Sequence, residues 1–369
     1  MANFLSSLFK RASGSVIGVD IGSSAIKIVQ LRRQGSRVML ETYGALALGP
    51  YTKMEIGRAT NLPVEKVVLA LIDILREAKT TTKVAGVAIP FSASLMTIIE
   101  LPNVGEKQLA QMVPTEARKY IPVPIAEVSL DWSIIPRDQT DHDPGVEAVG
   151  GKVIPKTDIL LVAIHNDTLR DYETIVSKAG LDVGFFEIEI FSTIRSVLDD
   201  NTRPVMILDL GAASTKLYII ERGIVRNSHT INRGSQDITS TIATSLNMPL
   251  DQAEIMKRTV GWSADPGQKT LADTIALTLD YIFAEARHVL INYQSKHNKS
   301  VEKVILMGGG ATMKGFVELA QKNLETPVAL GDPFSKVQAP AFLTEILRKN
   351  GPEFAVALGL ALRKLQDLE

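Results

Sequence analysis

Apolar and β-branched residues gather into short alternating runs broken by glycine and serine, and between them lie longer stretches with helical spacing. Residues 15–31, SVIGVDIGSSAIKIVQL, form an apolar run interrupted at Gly22, Ser23 and Ser24 and then resumed with alternation, which predicts a hairpin with a small-residue turn. Residues 205–220, VMILDLGAASTKLYII, repeat the order of strand, aspartate, glycine, small residues, lysine and second strand. A single repetition about half the chain away predicts two similar lobes and not a solenoid of short units.

Val67, Val68, Leu71, Ile72 and Leu75 fall at helical spacing within residues 63–80, and Val84–Ile89 reads as a strand. Beyond Ser92 come the strand LMTIIEL, a helix over 106–120, the break IPVP at 121–124 and the strand VSLDWSII before Pro136. These predict a small α/β subdomain over 91–156, inserted into a first lobe that begins over 14–90. Its last stretch, 137–156, is rich in Asp and Gly and reads as a loop. The first lobe is expected to resume over 157–202, with a strand at 158–164 and a helix at 168–179 capped by Gly180. The second lobe, 203–350, carries helical patterns at 237–246, 250–260 and about 271–295, the strand Lys303–Met307, three glycines and a helix to Asn323. A final helix occupies 351–369.

Composition narrows the classes. The 369 residues carry 40 Lys plus Arg against 41 Asp plus Glu, a formal charge of −1, so there is no strong field to draw in nucleic acid or a membrane. An apolar share of 45% with 22% charged residues argues for packed cores and against disorder. With no cysteine, disulfides, thiolate metal sites and a cysteine nucleophile are excluded, which fits a reducing compartment. His142, His165, His229, His288 and His297 lack a zinc spacing, and no GxSxG is present. The longest uncharged stretch, 84–99, is too short to span a bilayer. At the N-terminus, MANFLSSLFKR sets Phe4, Leu5, Leu8 and Phe9 at helical spacing without a cleavage site, so it is no signal peptide. Two roles fit it: a surface anchor or partner-binding helix, and a tail or helix packed on its own domain.

Two strand–Asp–x–Gly turns in one chain make sense when both face one phosphate chain. Small residues let backbone N–H groups approach phosphate oxygens, and a carboxylate at each strand end can hold the waters of Mg²⁺. GVDIGSSAIK, LDLGAASTK and LMGGGATMKG together resemble the two phosphate loops and the adenosine loop of the actin-like ATPase superfamily. The resemblance covers nearly the whole chain, with EIEIFST at 187–193 and FAVALGLAL at 354–362 in place of the two lobe connections. It implies an α/β actin-like fold of two lobes, each a mixed sheet flanked by helices, with an SHS2-like subdomain inserted in the first. The insertion, with EARKYIPVPIAEVSLDW, and the stretch LLVAIHNDTLRDYETIVSKAGLDV are similar to the PilM family of type IV pilus assembly proteins, relatives of FtsA.

The resemblance implies ATP or ADP with Mg²⁺ as cofactors. Asp20 and Asp209 would face the metal through water. Gly22, Ser23, Ser24, Gly211, Ala212, Ala213 and Ser214 would contact phosphates. Lys27 either reaches a phosphate or lies on the sheet edge. Gly234 matches the turn before a helix, Glu254 and Lys257 the ribose and adenine contacts or an ordinary ion pair, and Gly308, Gly309, Gly310 and Met313 the base. For positioning water at the γ-phosphate the candidates are Glu187 and Glu189, for which capping or structural pairing is the alternative. Ala212, Ala213 and Lys216 depart from the glycines and acid of vigorous ATPases, and losing one such group costs ~10²-fold or more. Slow or absent hydrolysis is therefore expected.

The family further implies a scaffold in the cytoplasm, peripheral at the inner membrane, whose partner is the short cytoplasmic N-terminal peptide of a PilN-like membrane protein. Other pilus platform or motor proteins and self-association are compatible with it. Glu116, Tyr120, Ile121, Pro122 and Pro124 are the candidate groove residues, although IPVP also serves simply to end a helix. Two alternatives share the fold. An FtsA-like filament protein usually adds a basic amphipathic helix after the last core helix, which here runs to Glu369. A small-molecule kinase needs a catalytic Asp that has no evident equivalent.

Overall fold

The computed structural model describes residues 14–136, 147–149, 152–199 and 203–368. In chain order the first elements are β1 (Ser15–Ile21), β2 (Ala25–Gln34), β3 (Arg37–Ala47), α1 (Val64–Glu77) and β4 (Val84–Ile89). Next come β5 (Ser94–Pro102), α2 (Glu106–Ala117), β6 (Val128–Ile135), β7 (Glu147–Val149), β8 (Lys152–Ile154), β9 (Lys156–His165) and α3 (Asn166–Lys178). β10 (Asp182–Ile188) leads into α4 (Glu189–Val197), followed by β11 (Val205–Leu210), β12 (Thr215–Glu221), β13 (Ile224–Ile231), α5 (Ser235–Ser245), α6 (Leu250–Thr259) and α7 (Lys269–His297). The chain closes with β14 (Lys303–Met307), α8 (Phe316–Leu324), β15 (Val328–Leu330), α9 (Thr344–Asn350) and α10 (Ala355–Gln366). These fall into two units, a smaller one of Ile89–Thr174 and a larger one that takes the chain up to Ala88 and from Ile175 onward.

The larger unit holds two five-stranded sheets that match strand for strand. One runs β3-β2-β1-β4-β10 and the other β13-β12-β11-β14-β15. In each, the central strand pairs antiparallel with the second arm of its hairpin and parallel with a later strand. β1 and β11 are buried nearly throughout, as expected for strands covered on both faces. The internal repeat is thus a duplicated sheet. The long α7 lays Leu271, Ile275, Leu279, Ile282 and Phe283 against Met206, Leu208, Leu217 and Ile219 of the second sheet.

On the first sheet, α10 is apolar almost all round, with Ala355 to Ala361 and Leu365 buried. It packs on Val16 of β1 and on Val29 and Leu31 of β2. The approach is backbone to backbone. A Cβ on Gly18 would lie 1.8 Å from the Ala357 carbonyl oxygen, and one on Gly359 would lie 1.9 Å from the Ser192 carbonyl oxygen of α4. Only glycine leaves room at either point.

In the smaller unit, β9 is the central strand of a three-stranded antiparallel sheet ordered β5-β9-β6. Leu109, Val113 and Ala117 of α2 cover Ile99, Leu101, Ile159 and Leu161. This corrects the expected boundary at 156/157: the strand assigned to the resumed first lobe belongs to the inserted sheet, because its alternating face completes the core under α2. α2 also ends at Ala117, earlier than the expected 120. The expected loop at 137–156 needs a similar correction, since β7 and β8 pair antiparallel with Glu147 opposite Ile154. Its Val and Ile sit at strand positions that the Asp- and Gly-rich average conceals. The rest of that loop, and the N-terminal 1–13 with its candidate helix, lie outside the described residues.

Candidate functional site

The two hairpin turns share one hydrogen-bond design. The Gly22 N–H donates to the Ala25 carbonyl at 3.0 Å, and the Gly211 N–H to the Ser214 carbonyl at 3.0 Å. One step before each turn, the strand register sets Asp20 opposite Lys27 and Asp209 opposite Lys216. β2 is flanked by β1 and β3, so Lys27 does not lie on a sheet edge. Both turns, both aspartates and both lysines line one cavity of about 360 Å³, within the roughly 300–1,000 Å³ typical of small-molecule sites.

Burial pushes the Asp20 carboxyl up to about 6, with Lys27 offsetting part of the rise and Glu189 adding to it. Burial likewise raises Asp209, against the pull of Lys216. Two acids on one wall, Asp20 buried and Asp209 half-buried, are suited to an added cation. Among the described residues no group of three His, Asp or Glu side chains is placed to ligate a metal directly. Asp20 and Asp209, two carboxylates on one wall of the cavity, are the acids that would hold the waters of a Mg²⁺ ion.

The two glutamates of the connecting segment part ways. Glu187, at the end of β10, accepts bonds from Ser192 Oγ at 2.5 Å, from Arg195 at 2.8 and 2.9 Å and from Arg363 at 2.6 Å. It does not line the cavity, and its expected role at a reacting phosphate is corrected: the carboxylate is committed to pinning α4 and α10. Glu189, two residues on, does line it. There Lys216 Nζ donates to Glu189 Oε1 at 2.6 Å and stands 3.9 Å from Asp209 Oδ2. Burial would lower the Lys216 ammonium, but the Glu189 and Asp209 carboxylates outweigh it and hold it well above the usual lysine range.

Gly308, Gly309, Gly310 and Met313 also line the cavity. Gly308 has φ of 85°, and a Cβ there would meet Asp209 Oδ1 at 2.2 Å, so glycine is needed both for the turn and for the approach. Gly234 is the one cofactor candidate that lies behind the wall. A Cβ there would sit 2.3 Å from the Ala212 carbonyl oxygen, so it lets α5 start against the second turn while Ser235 lines the cavity. Glu254 and Lys257, one α6 turn apart, both line it and pair with each other at 2.7 Å. Lys257 Nζ also donates to Thr239 Oγ1 and the Ser235 carbonyl. Burial would raise the Glu254 carboxyl, but Lys257, Thr239 and Arg258 hold it below the usual range.

Sequence reasoning missed Ile56 and Gly57, which reach the cavity on the loop after β3. That loop crosses to the second sheet's side: the Ala59 N–H donates to Gln236 Oε1 at 3.1 Å, and Gly57, at φ 89°, abuts the Glu254 carboxylate. Its only local signal is a lone glycine. Lys349, Asn350 and Glu353 were missed as well; they arrive through the Gly308 N–H bond to the Pro352 carbonyl, a contact distant in sequence.

The partner candidates occupy the smaller unit. Tyr120, Pro122 and Pro124 are exposed, and Glu116 pairs with Lys119 at 2.9 Å. Ile121 is corrected: it is 7% exposed and belongs to the core under α2, so it offers no groove surface.

Duplicated sheets facing one cavity define the chain as an α/β protein of the actin-like ATPase fold. MreB5 of Spiroplasma citri bound to ADP has the same fold, with a TM-score of 0.52 at 11% identity over 96% of this chain and 98% of that one. The chain belongs to the family described as type IV pilus assembly protein PilM, whose profile matches residues 18–365. The solved PilM-PilN type IV pilus biogenesis complex is similar at a TM-score of 0.78 and 26% identity, over 95% of this chain and 98% of that one. The cell division protein FtsA of Pseudomonas aeruginosa is 24% identical over 393 residues, covering 95% of this chain and 89% of the relative.

Proposed function

We propose that the chain is an ATP-binding scaffold of type IV pilus assembly in which the nucleotide is a long-lived ligand, turned over slowly if at all. The pairing of the turns carries the reading. Gly22–Ser24 and Gly211–Ser214 line one cavity, each behind an aspartate and its cross-strand lysine, which line it too. In this reading the turns present backbone N–H groups to the phosphates and Lys27 adds a cation. Glu254 and Lys257 reach the ribose and adenine, and the Gly308–Gly310 turn with Met313 flanks the base. A bound Mg²⁺ would supply charge neutralisation of the phosphates, its waters held by Asp20 and Asp209.

A PilN-like cytoplasmic peptide is the proposed partner, supported by family membership and by the likeness to a PilM-PilN complex. Glu116, Tyr120, Pro122 and Pro124 are the residues proposed to meet it. Such a partner would hold the protein at the cytoplasmic face of the inner membrane. Among the described residues no helix is long and apolar enough to cross a membrane.

The test is calorimetric titration with ATP and Mg²⁺, followed by phosphate release over hours on the same sample. Binding with negligible release is expected. Asp20→Ala or Asp209→Ala should weaken binding about 10- to 100-fold, as loss of a residue orienting a metal's shell does. Absence of binding in the unaltered protein would sink the reading. Release near the ~10 s⁻¹ of a typical enzyme would replace the scaffold with a working ATPase.

A further inference from the structure

We infer that Gln236 is a positioning residue that couples the two phosphate turns: its side chain ties the loop that supports the first turn to the helix that supports the second, so that both are set for one phosphate chain. This rests on the ATP-binding reading above and deepens it.

Each turn is anchored through a carbonyl. In the first, the Ser23 carbonyl accepts from the Thr60 N–H at 2.8 Å and from Thr60 Oγ1 at 3.2 Å. Counted from Asp20 and Asp209, the equivalent position of the second turn is Ala212. Its carbonyl accepts from the Gln236 N–H, in the first turn of α5, at 3.1 Å. Across a trans peptide the N–H points opposite to the carbonyl. Anchoring Ser23 and Ala212 therefore turns the Ser24 and Ala213 N–H groups to the other side. Ser24 and Ala213 line the cavity, whereas Thr60 and Gln236 stand behind its wall. The anchors thus direct one backbone N–H from each turn toward the place where an anion would sit.

The two anchors are also joined to each other. The Ala59 N–H, one residue before Thr60, donates to Gln236 Oε1 at 3.1 Å. Gln236 therefore holds its own turn with its main chain and the loop behind the other turn with its side chain. Gly57 of the same loop, at φ 89°, lies against the Glu254 carboxylate, so the link is steadied from α6 as well. Without the Gln236 side chain each turn keeps its own anchor, but their spacing is left for the ligand to set, at the expense of affinity. That expense is bounded by the worth of the one bond removed, about 3- to 10-fold in binding.

The experiment uses the full chain and compares the unaltered protein with Gln236→Leu, which fills similar space without an acceptor, and with Gln236→Glu, whose carboxylate still accepts the Ala59 N–H. In the nucleotide-free protein, amide exchange of peptides covering residues 55–60 should be faster in Gln236→Leu and unchanged in Gln236→Glu. With Mg²⁺ present, calorimetry should show ATP bound about 3- to 10-fold more weakly by Gln236→Leu. Adenosine, which has no phosphate for the turns, should bind both proteins alike. A residue with a merely structural role would weaken the two ligands together. Gln236→Ala repeats the test should Gln236→Leu fold poorly. Three results overturn the coupling with the ATP reading intact: loop exchange that does not change, ATP affinity that does not change, or an equal loss for ATP and adenosine. If the unaltered protein binds no ATP, the nucleotide reading falls and the coupling with it.

Discussion

Gly359→Ala is expected to destabilise the larger unit by about 3 kcal/mol, the upper end of what overpacking costs, and to lower its unfolding midpoint by roughly 5 °C or more. The added methyl would stand 1.9 Å from the Ser192 carbonyl oxygen and 2.5 Å from its carbon. Those atoms are backbone inside α4 and cannot rotate away as a side-chain tip can. Relief needs α10 to back off from α4, but the opposite side of α10 is pressed on β1, where the Ala357 carbonyl already fills the space above Gly18. The Gly359 carbonyl also accepts a bond from Arg195 at 3.2 Å, so the shift loosens an ion-pair cluster as well. Gly14→Ala, where an added Cβ meets nothing within 4 Å, is the matched control and should be near neutral. Thermal melts of the two variants decide it: equal midpoints would mean that α10 has slack that the contact distances deny.

Glu187→Ala should cost about 3 kcal/mol, the lower end of what breaking a buried ion pair costs, since its arginines are 25% and 37% exposed and keep some hydration. The Glu187 side chain itself is only 6% exposed. It joins three elements: β10, which carries it, α4 through Ser192 and Arg195, and α10 through Arg363. Arg363 lies 4.0 Å over the Phe185 ring, so the unpaired guanidinium is left against an apolar face. A pH signature separates the charge from the packing. Burial would raise the Glu187 carboxyl, but Arg195, Ser192 and Arg363 outweigh it and hold it below the ordinary range. A depressed folded-state pKa contributes stability that is complete above the unfolded carboxylate value of about 4.3 and is lost as pH falls through the folded value. Denaturant unfolding of the unaltered protein from pH 7 down to 3 should therefore show an acid-side loss that Glu187→Gln reduces. Parallel curves for the two proteins would refute the ion-pair account.

The parts of the site legible in the sequence are those built by neighbours. The turns at Gly22–Ser24 and Gly211–Ser214 announce themselves because a hairpin is local and its small residues are consecutive, and the duplication doubles the signal. Glu254 and Lys257 follow from helical spacing in the same way. What escaped was decided by partners far along the chain. Glu187 and Glu189 look equivalent in EIEIFST, yet one ends a strand and the other opens a helix, so they face different surroundings. Whether Lys216 meets Glu189 depends on how β12 sits against α4, which no local pattern encodes. Ile121 belongs to the stiff segment IPVP, which reads as candidate groove surface; its burial comes from the core shared by α2 and β9, the strand assigned by spacing to the other unit. Gly18 and Gly359 sit within apolar runs where a missing side chain gives no hint of the backbone that fills its place.

The seam between β1 and α10 joins opposite ends of the described chain, and this sets an order of events during synthesis. β1 and β2 leave the ribosome well before the helix that covers Val16, Val29 and Leu31, which follows all the other described elements in chain order. Until then that sheet face has no cover of its own, and long-range closure of this kind is slow and prone to aggregation. Nascent chains arrested before residue 355 should therefore engage holdase chaperones through the β1–β2 surface and release them once α10 docks. The glycine that permits the docking would then govern yield in the cell as well as stability in the tube.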